Sequence, residues 1–274
     1  MHVLKRFTAL LFAILLFGLV GCSSLSLAYN QLPLLGGLWA DKYLDLDSDQ
    51  KARLKDKLLA FQAWHRREEL PQWQSLLRQA QTALEDGVTR QELLALERGA
   101  RASAERSLQH AAPLAAPLLA DLKPEQWQHL QKTLDEKTAE WREKQTGSDA
   151  SDERAKRYTK NLERWLGDLD RPTRKLASAD AQAWHFDLAA MSQGRAARQT
   201  RTVEALRAWS RQDLAGGTAT LMRNMQPLPT EQAYREEVMA SVLKLLNGLD
   251  AQQREQVRKH WANWTAELRS LQGG

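Results

Sequence analysis

Residues 251–271, AQQREQVRKHWANWTAELRSL, carry large apolar side chains at alternating intervals of four and three residues. The apolar positions are Val257, Trp261, Trp264, Leu268 and Leu271. These intervals place all five side chains on one face of an α-helix, because a helix completes a turn every 3.6 residues. The segment therefore predicts an amphipathic helix that buries a single stripe.

The same period recurs in three other segments, 51–65, 124–145 and 153–169. Their apolar positions are Leu54, Leu58 and Phe61; Trp127, Leu130, Leu134 and Trp141; and Tyr158, Leu162, Trp165 and Leu169. We find no convincing alternation of period two, which a half-buried strand would show. The sequence therefore predicts an all-α fold, a multi-helix bundle.

Helix starts and breaks are marked by local chemistry. Asp47 with Gln50, and Thr89 with Glu92, have the spacing of a capping box. Asp250 is a further candidate cap. Pro113 and Pro117 are predicted to kink or end the helix that begins near Thr89. Three stretches are predicted to be loops: 146–152, 216–217 (Gly-Gly) and 227–229.

Several short motifs occur twice in the same order. Gln62-Ala63-Trp64-His65 recurs as Gln182-Ala183-Trp184-His185, and Thr138-Ala139-Glu140 recurs as Thr265-Ala266-Glu267. The offsets differ only by the length of a loop. We therefore predict an internally duplicated helical unit, with halves 32–145 and 153–274 packed as one domain.

The N-terminus has the three parts of an export signal. Lys5 and Arg6 precede an apolar run, 7–20, which ends in Leu19-Val20-Gly21-Cys22. The alternatives are an ordinary signal peptide and a membrane-spanning helix, but the run is shorter than the ~20 residues that span a bilayer. The residues Leu19-Val20-Gly21-Cys22 resemble the lipobox of bacterial lipoproteins.

The lipobox resemblance implies a signal peptide at 1–21, cleavage between Gly21 and Cys22, and acyl chains on Cys22 that hold the protein on a membrane. Residues 22–31 would then be a lipidated tether. Ser23 stands where an aspartate would favour the inner membrane, so the resemblance implies the periplasmic face of the outer membrane, with the inner membrane as the less favoured alternative.

Composition excludes some functions. Cys22 is the only cysteine, so catalysis by a free thiol and cysteine-rich metal sites are excluded if it is acylated. The net charge is +5, a mild balance that does not indicate a nucleic-acid partner. No Glu-x-x-His pair occurs, and no phosphate-binding loop or nucleophile motif is present. We expect no metal, no cofactor and no enzymatic activity.

The repeated Gln-Ala-Trp-His supplies the candidate site residues: Gln62, Trp64, His65, Gln182, Trp184 and His185. In one interpretation the two copies line a ligand pocket, with tryptophan for stacking and histidine and glutamine for hydrogen bonds. Alternatively, the tryptophans anchor the core and the histidines pair with nearby polar groups. We favour the second interpretation, because aromatic residues at helical spacing usually pack in the core.

A longer pattern resembles a group of proteobacterial outer-membrane lipoproteins of unknown function. The matching residues are Tyr29-Asn30, Trp39, Asp41, Tyr43, Asp45-Leu46, Trp64-His65 and Glu69-Leu70-Pro71. The segments 46–50 and 122–126 are also similar to the Leu-Thr-x-x-Gln element of Spy-like and CpxP-like periplasmic chaperones. The first resemblance brings no activity with it.

These observations leave two functions open. The first is a non-enzymatic envelope protein that binds a protein or peptidoglycan partner, in a chaperone-like or scaffold role. The second is a carrier of a lipid or small hydrophobic ligand. The apolar stripes are about as wide as core packing requires, which favours the first.

Overall fold

The computed structural model describes residues 24–273, and the predictions on Gly21 and Cys22 lie outside this range. The helices are α1 (Ser24–Asn30), α2 (Leu32–Leu44), α3 (Ser48–Glu68), α4 (Leu70–Asp86), α5 (Arg90–Ala120), α6 (Pro124–Thr146), α7 (Ala150–Leu166), α8 (Arg171–Ala183), α9 (Leu188–Ser210), α10 (Leu214–Arg223), α11 (Gln232–Gly248) and α12 (Ala251–Gln272), with a 3₁₀ helix at Pro229–Glu231. No strand occurs between residues 24 and 273. The all-α prediction is confirmed.

The stripe of α12 is buried as its spacing predicts. Val257, Trp261 and Leu271 are buried, and Trp264 and Leu268 are partly buried against them. The α12 helix packs on α4 and α7. Its polar side chains lie on the remaining faces, so the helix is stabilised by the burial of one face rather than by propensity alone.

The predicted caps of three helices are confirmed. Asp47, Thr89 and Asp250 each accept a hydrogen bond from the backbone N–H three residues later. The side chain at that third position accepts a hydrogen bond from the cap residue's own N–H, which completes the capping box. Each box satisfies backbone donors that a helix start leaves unpaired.

The starts of α3 and α6 meet through a buried pair of amides. Nε2 of Gln50 donates to Oε1 of Gln126 at 3.1 Å, and Nε2 of Gln126 donates to Oε1 of Gln50 at 2.7 Å. Gln126 also donates to the carbonyl of Asp45 at 2.8 Å. The two glutamines therefore complete their own caps and join two helix starts at the same point.

The starts of α8 and α12 meet in a similar way. Nε2 of Gln253 donates to Oδ2 of Asp170 at 2.9 Å and to Oγ1 of Thr173 at 3.0 Å. A buried leucine precedes each of the four helix starts: Leu46, Leu122, Leu169 and Leu249. The internal duplication itself stays a prediction, which a superposition of residues 32–145 on residues 153–274 would test.

Two hydrophobic cores are each built from both halves of the chain. The first lies between α2, α5, α6, α9 and α10, and the second between α4, α7, α8, α11 and α12. Helices α9 and α10 belong to the second half in sequence and α4 to the first. Each half therefore places helices in a core made mainly by the other half.

The part of the predicted tether that the structure describes is helical. Ser24–Asn30 forms α1, and Tyr29 is buried against Leu70 of α4 and Leu271 of α12. The C-terminal end of α1 is therefore packed against the domain.

Gly216 and Gly217 lie inside α10, so the prediction of a loop there is wrong. Asp213 caps this helix by accepting a hydrogen bond from the N–H of Gly216 at 2.9 Å. A Cβ added to Gly217 would lie 2.3 Å from Cδ1 of Trp209 on α9. Glycine stands here because α9 and α10 cross too closely for a side chain, not because the backbone turns.

Helix α5 does not end at either of its prolines, but runs from Arg90 to Ala120. Pro113 and Pro117 each remove one backbone donor. Ala112 and Ala116, which precede them, are almost completely buried in the first core. Tertiary packing on this face outweighs the loss of two hydrogen bonds.

We expect Gly217→Ala to destabilise the fold by about 1–3 kcal/mol, because the added methyl group would also lie 2.7 Å from the Ala205 carbonyl. Gly248→Ala is the matched control, since no atom lies within 4 Å of its Cβ position. Urea denaturation followed by circular dichroism measures both variants. Equal midpoints for the two variants would contradict the close crossing of α9 and α10.

Candidate functional site

The first Gln-Ala-Trp-His copy lies within α3 and binds the N-terminal helix. Nδ1 of His65 and the hydroxyl of Tyr29 share a hydrogen bond of 2.9 Å. Nε2 of Gln62 donates to the backbone carbonyl of Tyr29. All three side chains are buried. Two residues of the motif therefore fix Tyr29, and with it α1, to the domain.

Arg66 extends this contact by one residue. Its guanidinium donates to Oδ1 of Asn30 at 2.5 Å and lies 5.6 Å from the centroid of the Tyr29 ring. Burial raises the pKa of the Tyr29 hydroxyl, and Arg66 opposes the shift. Tyr29 is therefore neutral across the physiological range. We call the contact of Gln62, His65 and Arg66 with Tyr29 and Asn30 the N-terminal clamp.

His65 is held in its neutral form by its surroundings. Burial lowers its pKa to about 4, and the carboxylate of Glu69 opposes this shift. The imidazole therefore carries no charge near pH 7. A neutral imidazole can form the hydrogen bond with the Tyr29 hydroxyl, and a neutral ring does not need a buried counter-ion.

Glu69, one turn after His65, is the buried carboxylate at the junction of α3 and α4. It is 1% exposed. Oε2 accepts from Oγ of Ser103 at 2.5 Å, and Nε and Nη2 of Arg106 donate to the two oxygens at 2.8 and 3.0 Å. Nε1 of Trp73 donates to the same Ser103 hydroxyl at 2.8 Å. The carboxylate therefore ties the junction to α5.

Trp64 packs on α5 beside the clamp. Its ring stacks on His110 of α5, with centroids 4.1 Å apart and an angle of 9° between the planes. Burial lowers the pKa of His110, and the charge of Arg67 lowers it further. Trp64 is only partly buried. It therefore covers the side of α5 rather than filling the middle of a core.

The second copy of the motif lies at the end of α8 and has different partners. Trp184 is the residue that ends the helix, and its Nε1 donates to Oγ of Ser241 at 2.9 Å. Gln182 donates to Asp152 at 2.8 Å, and His185 is exposed. No hydrogen bond or ring contact between residues 24 and 273 joins the two copies. The two copies therefore have separate sets of partners.

Trp184 is the centre of an aromatic cluster on α7, α8 and α11. Its ring lies 4.6 Å from Tyr158 and 5.7 Å from Tyr234, both in T-shaped contacts. Phe186 lies 5.8 Å from Tyr234, and the guanidinium of Arg154 lies 4.2 Å from the Phe186 centroid. All five side chains are partly exposed. We call these five residues the aromatic patch.

The sequence pattern found the tryptophans and histidines but not their partners. Ser103 and Arg106 were not identified, because a polar residue inside a helix carries no local signal of a contact 34 or 37 residues away. Tyr158 was identified only as part of a stripe. Tyr29 was noted through the family resemblance, and its ring is the partner of His65.

Two further features bear on the kind of site. Over residues 24–273, no three His, Cys, Asp or Glu side chains are grouped in a way that could hold a metal ion. The helices of that same range are all too short or too polar to cross a membrane.

The fold and these contacts define an all-α protein with two shared cores, an N-terminal clamp and an aromatic patch. The chain belongs to the family of unknown function DUF6279, which matches residues 42–235. Helix α1 and most of α2 precede the matched range. Searches of curated proteins and of solved structures gave no significant match. Membership of an uncharacterised family is thus confirmed, and its lipoprotein character stays a prediction.

We expect Tyr29→Phe to destabilise the protein by about 1–3 kcal/mol, because it leaves buried Nδ1 of His65 without its partner. Tyr158→Phe is the matched control, since no hydrogen bond to its buried hydroxyl is found in the described part of the chain. Hydrogen exchange of residues 24–30 should also increase in Tyr29→Phe alone. Unchanged exchange would mean that the hydroxyl does not hold α1.

We also expect stability to fall as the pH decreases between about 6.5 and 4. His65 has its ordinary pKa of 6.5 in the unfolded chain and about 4 in the fold, so unfolding takes up a proton within this window. The full shift corresponds to about 3 kcal/mol. Urea denaturation across this range measures the effect.

His65→Gln should flatten that pH dependence relative to the wild type, whatever it costs at neutral pH. His185→Gln should leave the dependence as it is, because His185 is exposed. The assignment fails if His65→Gln loses stability with falling pH as steeply as the wild type.

Proposed function

We propose that this protein is a lipoprotein of the cell envelope, anchored by acyl chains on Cys22 and facing the periplasm from the outer membrane. The support is the charged start, the apolar run and the Leu-Val-Gly-Cys segment at 19–22. The clamp adds a further reason. Helix α1 begins two residues after Cys22 and the clamp binds its last two residues, so an anchor there would hold the domain close to the lipid surface.

We propose further that the domain binds an envelope partner and does not catalyse a reaction. The aromatic patch is the observation that carries this proposal. Tryptophan, tyrosine and arginine are the residues that contribute most to binding at protein interfaces. Here Trp184, Tyr234 and Arg154 meet on one partly exposed surface.

The ring geometry favours a protein partner over peptidoglycan. Trp184 makes T-shaped contacts with Tyr158 at 73° and with Tyr234 at 84°, so each contact sets the edge of one ring against the face of another. A sugar would need an open ring face on which to lie flat. An uneven surface of ring edges with an arginine fits the side chains of a protein better.

We expect Cys22→Ala to abolish acylation and normal cleavage of the precursor. Growth with an alkyne fatty-acid analogue, followed by fluorophore coupling, should label the wild type and not the variant. Ser23→Ala serves as the control, because it leaves the cysteine in place and should be labelled like the wild type. Equal labelling of Cys22→Ala would refute the anchor.

We expect a photo-crosslinking amino acid at Phe186 to form a protein adduct in intact cells. The same group at Leu176, an exposed position on α8, should form none. Arg154→Ala should weaken the adduct, because Arg154 lies over the Phe186 ring. The approach keeps the anchored full-length protein in its own compartment.

Other outcomes would redirect the assignment. Binding of the wild type to isolated peptidoglycan, lost in Arg154→Ala, would identify the glycan as the partner. A lipid that co-purifies with the protein in native mass spectrometry would identify a carrier. Equal adducts at positions 186 and 176 would show that the patch is not a specific surface.

A further inference from the structure

The segment that follows the predicted anchor has no charge. Between Arg6 and Asp41 the sequence contains no Asp, Glu, Lys, Arg or His, although 27% of the whole chain is charged. This segment includes all of α1 and the part of α2 before Asp41. A helix with one face exposed to water normally carries charged side chains on that face.

The exposed side of α1 and α2 is instead lined with leucine. Leu27, Leu34 and Leu38 are 64%, 59% and 61% exposed, and Leu35 is 44% exposed. Among residues 26–273, whose side-chain exposure the structure describes, six large apolar side chains are exposed, and these four are among them. We call them the leucine stripe.

The four leucines form one continuous surface. Leu27, Leu34 and Leu38 are spaced by seven and four residues, which is close to whole helical turns. Helical hydrogen bonding continues across Gln31, whose N–H donates to the Leu27 carbonyl at 3.1 Å and whose carbonyl accepts from Leu35 at 2.9 Å. The stripe therefore runs from α1 into α2.

The opposite side of these helices is fully used by packing. Tyr29, Pro33 and Tyr43 are buried, and a Cβ on Gly36 would lie 3.4 Å from Leu58 of α3. The helices cannot rotate to bury the leucines without breaking the clamp and this close approach. The stripe is therefore a fixed feature of the surface.

We infer that the leucine stripe lies on the lipid surface of the membrane beside the anchor. This rests on the proposed acylation of Cys22. Leu27 is five residues from Cys22, and a fully extended chain of that length spans at most about 17 Å. The stripe is thus always near the bilayer, whereas a protein partner or a second copy would have to diffuse to it.

The chemistry of the stripe fits the membrane interface. An amphipathic segment binds a bilayer by lying in its surface with the apolar side down, and a membrane-spanning segment would need about 20 apolar residues. Helix α2 has 13 residues and α1 has seven. The segment lies on the membrane and does not cross it.

The N-terminal clamp gives this contact a consequence for the whole domain. His65 and Gln62 bind α1 to α3, and Leu271 of α12 packs on Tyr29. The stripe and the domain therefore move as one body. The protein is held on the membrane in one orientation instead of turning freely at the end of a tether.

The test uses the acylated full chain, purified and placed in vesicles of phosphatidylethanolamine and phosphatidylglycerol. Mass spectrometry of the N-terminal peptide first establishes whether Cys22 is acylated. Since Cys22 is the only native cysteine, Leu38→Cys then provides a single free thiol for a bimane fluorophore. Leu176→Cys on α8 is the matched control, because Leu176 is also an exposed leucine.

We expect a blue-shifted emission at position 38 and quenching when the lipids carry brominated acyl chains, with neither effect at position 176. Absence of quenching at position 38 in the acylated protein would overturn the inference while leaving the anchor intact. A blue shift without bromine quenching would overturn it as well, because protein, such as a second copy, would then cover the stripe.

Failure of the anchor gives a different result. Without acyl chains on Cys22, the proposed function fails in the mass spectrum, before any fluorescence is measured. If such a chain, with Cys22→Ser and Leu38→Cys, is still quenched on vesicles, the stripe binds lipid by itself. If it is not quenched, the lipid contact is refuted together with the anchor.

Discussion

A carboxylate that is taken out of water must be matched by donors, and this constraint fixes the centre of the first half of the protein. Glu69 is almost fully buried between α3 and α4, and its oxygens are matched by Ser103 and Arg106 of α5. Removal of Arg106 would leave a buried charge without its counter-ion. These bonds tie the junction of α3 and α4 to α5, and the junction sets the direction in which the preceding turn of α3 points.

The clamp depends on that direction. His65 lies one turn before Glu69, and the N–H of Glu69 donates to the His65 carbonyl at 3.0 Å. With the junction fixed, the imidazole faces the Tyr29 hydroxyl from a buried position. Residues 65–69 form a dense run of ionisable side chains. His65 and Glu69 are buried, whereas Arg67 and Glu68 are exposed to solvent. Burial keeps His65 neutral, which is why the clamp needs no counter-ion.

The sequence predicts the features that depend on neighbouring residues. The stripe of α12 and the capping boxes at Asp47, Thr89 and Asp250 follow from spacing alone. It does not predict features in which distant helices compete with local preference. Gly217 in α10 is explained by Trp209 of α9, and the pairing of Gln50 with Gln126 joins residues 76 positions apart. The candidate site was therefore recognised as a motif, whereas its partners Tyr29, Ser103 and Arg106 needed the fold.

The two copies of Gln-Ala-Trp-His show why a motif alone does not define a site. In the middle of α3, Gln62 and His65 lie one turn apart and both face inward, so both side chains bind Tyr29 of α1. At the end of α8 the backbone leaves the helix at Trp184, and His185 turns to the solvent. The same four residues therefore bury the histidine in one half and expose it in the other, while both tryptophans are partly buried. The first copy therefore binds the N-terminal helix, and the second belongs to a partly exposed aromatic patch, so the contacts of each copy are set by its place in the helix.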